Sequence, residues 1–323
     1  VTKAIVIRKF GGPKVLKLED VEVGDPGSGE IRVRHEAIGL NFIDVYHRTG
    51  LYPNELPFTP GSEAAGVVTA VGKGVSDFKE GDRIAYFNPI GSYAEERLMP
   101  ASKAVPIPDD IEADVAAAII LKGMTVNYLL TMTWVLQAHD TALIHAAAGG
   151  VGLIAVQWAR SIGARVIGTV GSDEKAELAR QAGADEVINI RTENFTDRVR
   201  ALTGGRGVDV VYDSIGKDTF EDSLDCLRPR GLLVSFGNSS GPVSVPNLGI
   251  LAAKGSQYVT RPTLAHYYLD RETELRSAET LFNKVREGAL NITIGQRFAL
   301  ADAAKAHKAL EGRKTHGSTI LTP

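Results

Sequence analysis

The sequence predicts an α/β protein of two parts, a doubly wound parallel-sheet domain and a smaller, barrel-like β domain. Three observations predict it. Up to about residue 100 the chain carries short β-rich runs separated by glycine-bearing turns, whereas beyond about residue 113 helical and strand patterns alternate. At the first strand-to-helix junction of that alternation stands Ala147-Ala148-Gly149-Gly150-Val151-Gly152. The length, 323 residues, agrees: at about 150 residues per domain it makes two.

In the first part, residues 4–7, 16–21, 31–38, 67–71, 83–86 and 93–99 have strand character. Gly11-Gly12-Pro13, Pro26-Gly27-Ser28-Gly29 and Glu80-Gly81-Asp82 supply the turns between them. In the second part helices are predicted at 126–137, 150–162, 173–182, 195–202 and 219–226, interleaved with strands at 141–146, 165–170, 186–190, 208–212 and 232–236. Two of these helices end in Gly-Ala, at Gly163-Ala164 and Gly183-Ala184, where glycine suits the left-handed residue that stops a helix. Strands alternating with such helices make βαβ units and a parallel sheet covered on both faces. After Arg261-Pro262 come a helix at 272–287, a strand at 293–298, a helix at 301–310 and a last strand at 318–321. A final strand that short needs an existing sheet, which predicts a discontinuous first domain (1–122 with 262–323) around a second (123–261).

Composition narrows the function. With 36 basic against 39 acidic side chains and no basic run, the chain has no electrostatic footprint for nucleic acid or an anionic membrane. The single cysteine, Cys226, rules out an intrachain disulfide and a thiolate-cluster metal site. The most apolar stretches, 115–121 and 146–156, fall short of the ~20 residues of a membrane span. With no signal-like segment at the start, the expected setting is the cytoplasm.

The glycine motif matches G-x-G-x-x-G with Ala147 in the first glycine place. Gly149 lets a backbone approach a pyrophosphate and Gly152 lets the helix sit close to the strand, while the N–H groups of Gly150, Val151 and Gly152 open a helix N-terminus to phosphate. The following strand ends without the acid that would bond an NAD ribose; Gly171 and Ser172 leave room there for a 2′-phosphate, with Lys175 and Arg191 as candidate cations. This points to NADPH. A plainer role for Ser172, as the cap of the next helix, is compatible with it.

The residues also carry a family resemblance. Phe10-Gly11-Gly12-Pro13, Gly39-Leu40-Asn41-Phe42-Ile43-Asp44, Gly61-Ser62-Glu63-Ala64-Ala65-Gly66, Gly81-Asp82-Arg83, Leu121-Lys122-Gly123-Met124-Thr125, the glycine loop and Phe236-Gly237-Asn238-Ser239-Ser240-Gly241 span the chain nearly end to end. Together they resemble the zinc-independent medium-chain dehydrogenases/reductases, most closely the ζ-crystallin-like quinone oxidoreductases. The resemblance implies a GroES-like catalytic domain, a Rossmann domain and a homodimer. Where zinc-dependent relatives hold metal ligands, this chain has Asn41, Ser62 and Lys122, no tetrahedral thiolate, imidazole or carboxylate set, so no metal is expected.

Without a Lewis acid, alcohol oxidation loses its means of removing the hydroxyl proton, whereas an electron-poor quinone can take hydride directly from a reduced nicotinamide. The expected substrate is therefore a quinone. The candidate catalytic residues are Asn41, Tyr46 and Tyr52, with Asn41 also on the nicotinamide side. Thr125, Ser214, Gly237 and Asn238 are expected at the dinucleotide, the last three from turns at the carboxyl ends of parallel strands. Asp44 and Glu63 read as structural, Lys122 as a substrate contact or a salt bridge, and every histidine as structural. An enoyl or alkenal reductase of the same fold is the nearest alternative. A crystallin-like or RNA-binding protein that keeps the nucleotide site is the alternative of another class.

Overall fold

The computed structural model describes every residue of the chain except Pro246. It divides into two compact units, one of residues 1–122, 275–286 and 292–323, the other of residues 123–274 and 287–291. The stretch 262–274, read from the sequence as already back in the first domain, lies in the second unit. Side chains hold it there: the Tyr267 ring stacks on Tyr128 at 4.4 Å, and the Tyr268 hydroxyl donates to the Met124 carbonyl at 2.8 Å.

In the first unit a seven-stranded sheet runs in the order Ile294–Ala299, Ser318–Thr322, Glu30–Leu40, Glu63–Val71, Arg83–Phe87, Val105–Pro106, with Glu96–Pro100 also pairing Glu30–Leu40. The last strand of the chain lies antiparallel to Glu30–Leu40, with Ile320 opposite Gly39. Side chains of Glu30–Leu40, among them Ile31, Val33 and Ile38, enter a core shared with Ile84, Tyr86, Met99 and Leu321. Tyr93 and Ala94, expected to begin a strand, precede it; Ala94 makes only an isolated bridge to Ala4, and the ladder starts at Glu96.

The second unit holds an all-parallel six-stranded sheet. Its spatial order is Glu186–Asn189, Arg165–Val170, Thr141–Ile144, Val208–Asp213, Leu227–Ser235, Tyr258–Thr260. By position in the chain this is 3-2-1-4-5-6, the doubly wound order that reverses between its first and fourth strands. Every residue of those two strands is buried, as a sheet covered on both faces requires. The edge strand Tyr258–Thr260 was not foreseen.

Three helices depart from expectation, among them the short, unexpected Gly249–Ala253. Phe42–Thr49, where the sequence predicts neither helix nor strand, is a helix ended by Gly50 at φ 83°. The helix expected at 126–137 instead spans Ala113–Tyr128 and closes in a π turn, Leu129–Thr133. The stretch Ala113–Thr133 is thus long and apolar enough to cross a membrane by length and composition, but 72% of its apolar window is buried within the protein, as in a core helix.

Candidate functional site

The glycine turn follows the central strand Thr141–Ile144 and opens the helix Gly150–Ile162. Its backbone is pinned from both sides: Ala147 N–H donates to the Thr169 carbonyl at 3.0 Å and Gly149 N–H to the Ala146 carbonyl at 2.9 Å. Ala146 takes the left-handed φ of 51° that reverses the chain. A Cβ on Gly152 would lie 2.2 Å from the Ala146 oxygen, so that position admits only glycine. Gly149 is different: a Cβ there would meet the Ala146 oxygen at 3.2 Å and nothing else within 4 Å. Gly149, Gly150 and Val151 are half-buried, and helix geometry leaves their end of the helix without intrahelical acceptors for its first N–H groups. The cradle therefore fits a pyrophosphate. Beneath it His145 spans Thr169 Oγ1 at 2.8 Å and Ser223 Oγ at 2.9 Å, and burial pushes its imidazole below the usual histidine range.

The turn after Arg165–Val170 brings Gly171, Ser172, Lys175 and Arg191 into one neighbourhood. Ser172 Oγ accepts the Lys175 N–H at 3.3 Å and so caps the next helix. A Cβ on Gly171 would find only Arg191 Nε, 4.0 Å away. Asp173, the nearest acid, is tied to Asn189 Nδ2 at 2.8 Å, and Asn189 Oδ1 also takes the Arg191 N–H at 3.1 Å. One acid is thereby engaged beside a space bordered by an arginine, a setting that fits a 2′-phosphate.

Ser214 follows Val208–Asp213, and Gly237 and Asn238 follow the neighbouring Leu227–Ser235, so these turns stand at the carboxyl ends of adjacent strands beside the switch point. They are in backbone contact, since a Cβ on Gly237 would fall 2.3 Å from the Ser214 oxygen. Asp213 stiffens the first turn by accepting Ile215 N–H at 2.7 Å, Gly216 N–H at 3.1 Å and the Thr219 hydroxyl at 2.8 Å. Thr125 is half-buried on Ala113–Tyr128.

In the first unit Asn41 sits at the N-cap of Phe42–Thr49. Its Nδ2 donates to Glu63 Oε2 at 2.7 Å and its backbone N–H to Asp44 Oδ2 at 2.9 Å. Glu63, fully buried, also accepts the Leu121 N–H at 2.7 Å and pairs with the buried Lys122 ammonium at 2.5 Å. Glycine at 39 is needed for this approach, because a Cβ there would fall 2.1 Å from Glu63 Oε2. The salt-bridge alternative for Lys122 is the one realised. Tyr46 and Tyr52 come together edge to face at 5.2 Å, with the Tyr52 N–H on the Tyr46 carbonyl at 3.1 Å.

The places of the zinc ligands do not fit a metal. Lys122 puts a paired cation at one, Asn41 an amide at the second, and the Ser62 hydroxyl at the third is buried without a hydrogen-bond partner among the described residues. No group of three or more His, Cys, Asp or Glu suited to a metal occurs among the described residues. Cys226 is buried, and burial pushes its thiol up to about 12.

Beyond the residues singled out in the sequence, Asp44 is joined to Tyr93, His307, Arg48 and Glu311. Those partners lie up to 263 residues apart in sequence, so no spacing signal marks them.

Residues 27–109 match the family described as the alcohol dehydrogenase GroES-like domain, and residues 150–266 the family described as zinc-binding dehydrogenase. The chain is 54% identical over 323 residues to the quinone oxidoreductase of Pseudomonas aeruginosa, covering 99% of both. It is 48% identical over 331 residues to a 2-haloacrylate reductase of a Burkholderia species, covering 99% of this chain and 98% of that one. Among solved structures, Escherichia coli quinone oxidoreductase complexed with NADPH superposes with a TM-score of 0.98 at 49% identity, covering 99% of this chain and 100% of that one.

Proposed function

This chain belongs to the quinone oxidoreductase family of medium-chain dehydrogenases/reductases, and on that premise we propose that it reduces quinones with NADPH by direct hydride transfer. The observation that carries the reading is the Asn41–Glu63–Lys122 cluster, in which Glu63 ties up the side chains at two of the three metal-ligand places. A site so built has no cation free to activate an alcohol, and it suits an acceptor that is already electron-poor.

NADPH, when bound, supplies the hydride from its nicotinamide ring. The chain's own residues supply position and charge. Gly149, Gly150, Val151 and Gly152 are assigned to the pyrophosphate, Ser214, Gly237 and Asn238 to the rest of the dinucleotide, and Thr125 to its nicotinamide end. Gly171, Ser172, Lys175 and Arg191 are assigned to the 2′-phosphate. Asn41, whose Nδ2 is held by Glu63 and whose side chain caps Phe42–Thr49, is assigned to the nicotinamide side. The Tyr46 and Tyr52 rings, packed edge to face, would hold a flat acceptor and offer hydroxyls to its oxygen. The first unit is accordingly assigned as catalytic and the second as dinucleotide-binding. A homodimer in the cytoplasm is the expected state.

The test is steady-state NADPH oxidation with 1,4-benzoquinone and with a short 2-alkenal. Benzoquinone is expected to be the better acceptor. The 2-haloacrylate reductase relative makes double-bond reduction the second reading, and activity on the alkenal alone would establish that reading instead. Replacing Lys175 with Ala is expected to weaken NADPH by about 10- to 100-fold, the worth of one charge-assisted hydrogen bond, and NADH by less than about twofold. Fluorescence titration of both cofactors reads it, and equal losses would remove Lys175 from phosphate recognition.

A further inference from the structure

The buried side chains around Asp44 form a hydrogen-bond chain with one direction. Glu311 accepts two N–H groups of Arg48, each at 2.8 Å, and Arg48 Nη1 also lies 3.1 Å from His307 Nδ1. A guanidinium only donates, so Nδ1 is the bare acceptor and the ring proton sits on Nε2. Nε2 is 3.0 Å from the Tyr93 oxygen, so it donates there. The Tyr93 O–H is then free to donate to Asp44 Oδ2, also at 3.0 Å. That same oxygen takes the backbone N–H of Asn41 at 2.9 Å. Each link hands a proton donor toward the carboxylate, and the last link ends at a candidate catalytic residue.

The chain requires a neutral His307, and burial together with the Arg48 charge holds its imidazole down to about 3. Arg48, Tyr93, His307 and Asp44 are all essentially buried, and they come from three separate stretches of the chain. A merely structural clamp would satisfy both carboxylate oxygens. Asp44 Oδ1 instead is buried with no hydrogen-bond partner among the described residues. The groups that face Asp44 are the Asn41 N–H, the Tyr93 hydroxyl, the Lys122 ammonium and the Glu63 carboxylate. Burial outweighs the donors and pushes the Asp44 carboxyl up to about 7, with Lys122 opposing and Glu63 reinforcing the rise.

We propose that Arg48, His307 and Tyr93 are positioning residues that act through Asp44, whose carboxylate holds the backbone of Asn41 in place for the reaction. The proposal rests on the assignment of Asn41 to the reacting centre. Loss of the Asp44 charge weakens its hold on the Asn41 N–H, so kcat/KM falls on the acid side with the ionisation of Asp44.

The experiment is the pH profile of kcat/KM for benzoquinone, with NADPH saturating, in the wild type, Tyr93→Phe, His307→Leu and His307→Gln. Removing the Tyr93 hydroxyl takes a donor from the carboxylate. The acid limb should move up by about one pH unit, which is tenfold in kcat/KM on the limb, with the alkaline plateau little changed. His307→Leu leaves the Tyr93 O–H on the carboxylate but strips the donor from its oxygen, so it should move the limb in the same direction by less. Glutamine in place of His307 can present an N–H where Nε2 stood, so His307→Gln should restore a limb close to the wild type. Should Tyr93→Phe not fold, the leucine–glutamine pair at 307 carries the same comparison. A limb that coincides in all variants, with only thermal stability lowered, would show a structural clamp and overturn the inference while leaving the reductase assignment intact. A wild type that oxidises no NADPH with benzoquinone at any pH would overturn both.

Discussion

Replacing Gly149 with Val is expected to abolish NADPH binding in a protein that still folds, whereas Gly152→Val is expected to damage the fold itself. The two glycines stand three residues apart in one loop, yet their surroundings differ. Gly149 has φ −80°, which any L-residue adopts, and its added Cβ would touch only the Ala146 oxygen at 3.2 Å. The rest of the new side chain occupies the open space before the helix N-terminus, where a pyrophosphate would accept its hydrogen bonds. Displacing the phosphates costs two or more charge-assisted hydrogen bonds, on the order of 3 kcal/mol or more, which is above 100-fold in Kd. The substitution removes no buried contact, so Tm should stay within about 4 °C. At Gly152 the Cβ would lie 2.2 Å from the Ala146 oxygen and 2.8 Å from Ala147 backbone atoms, and neither is a flexible side-chain end. Helix and strand must separate there, at a cost of several kcal/mol and a Tm lower by roughly 8 °C or more. NADPH fluorescence titration beside calorimetry reads both. Gly149→Val binding NADPH within threefold of the wild type would refute the loop assignment.

What the sequence made legible here is what local chemistry controls. Strand–helix alternation, glycine helix stops and the turn at 147–152 appear where they were expected, because each depends on residues a few places apart. The helix Ala113–Tyr128 was misplaced for a physical reason. Ala116, Ala117, Ala118, Ile119 and Ile120 are all buried, so the segment has no polar face and lacks the 3.6-residue contrast by which a half-buried helix is recognised. The Asn41 motif was legible as a place, but its chemistry was not. Glu63 comes from a strand 22 residues on and Lys122 from a helix 59 residues beyond Glu63, so the closed cluster exists only once the sheet has formed. His307 reads as any other structural histidine until Tyr93 and Arg48 stand on either side of its ring. The neighbourhood of Lys175 was half legible: Ser172 caps its helix as its type and position suggest, while the tie of Asp173 to Asn189 depends on a neighbouring strand.

The histidines themselves lead to the second large effect, an acid-labile first unit. Burial lowers His35 to about 4, His47 to about 4 and His307 to about 3, all in the first unit, and also lowers His145 in the second. In the unfolded chain each titrates near 6.5. Between those values the unfolded state binds more protons, so the stability each contributes is intact above about pH 6.5 and is lost as pH falls toward the folded value. Asp44 works in the opposite sense. Its carboxyl is raised to about 7, so between about 4 and 7 the folded state holds a proton the unfolded state has released. Three histidines less one aspartate leave a net uptake of about two protons on unfolding the first unit near pH 5.5, whereas the one lowered histidine of the second can add no more than one. At about 1.4 kcal/mol per proton and pH unit, the first unit loses about 3 kcal/mol per unit of acidification, and His145 adds at most about half that to the second. A domain stable by 5–15 kcal/mol is exhausted within a few such steps, so the first unit should unfold first as pH falls below about 5. Urea unfolding at half-unit pH intervals, followed by hydrogen exchange resolved to each unit, measures both slopes. His47→Gln removes a histidine whose lowering has burial as its only cause, and should reduce the first slope by about one proton. Equal slopes in the two units, or a slope below one proton in the first, would show that these imidazoles are protonated in the folded protein.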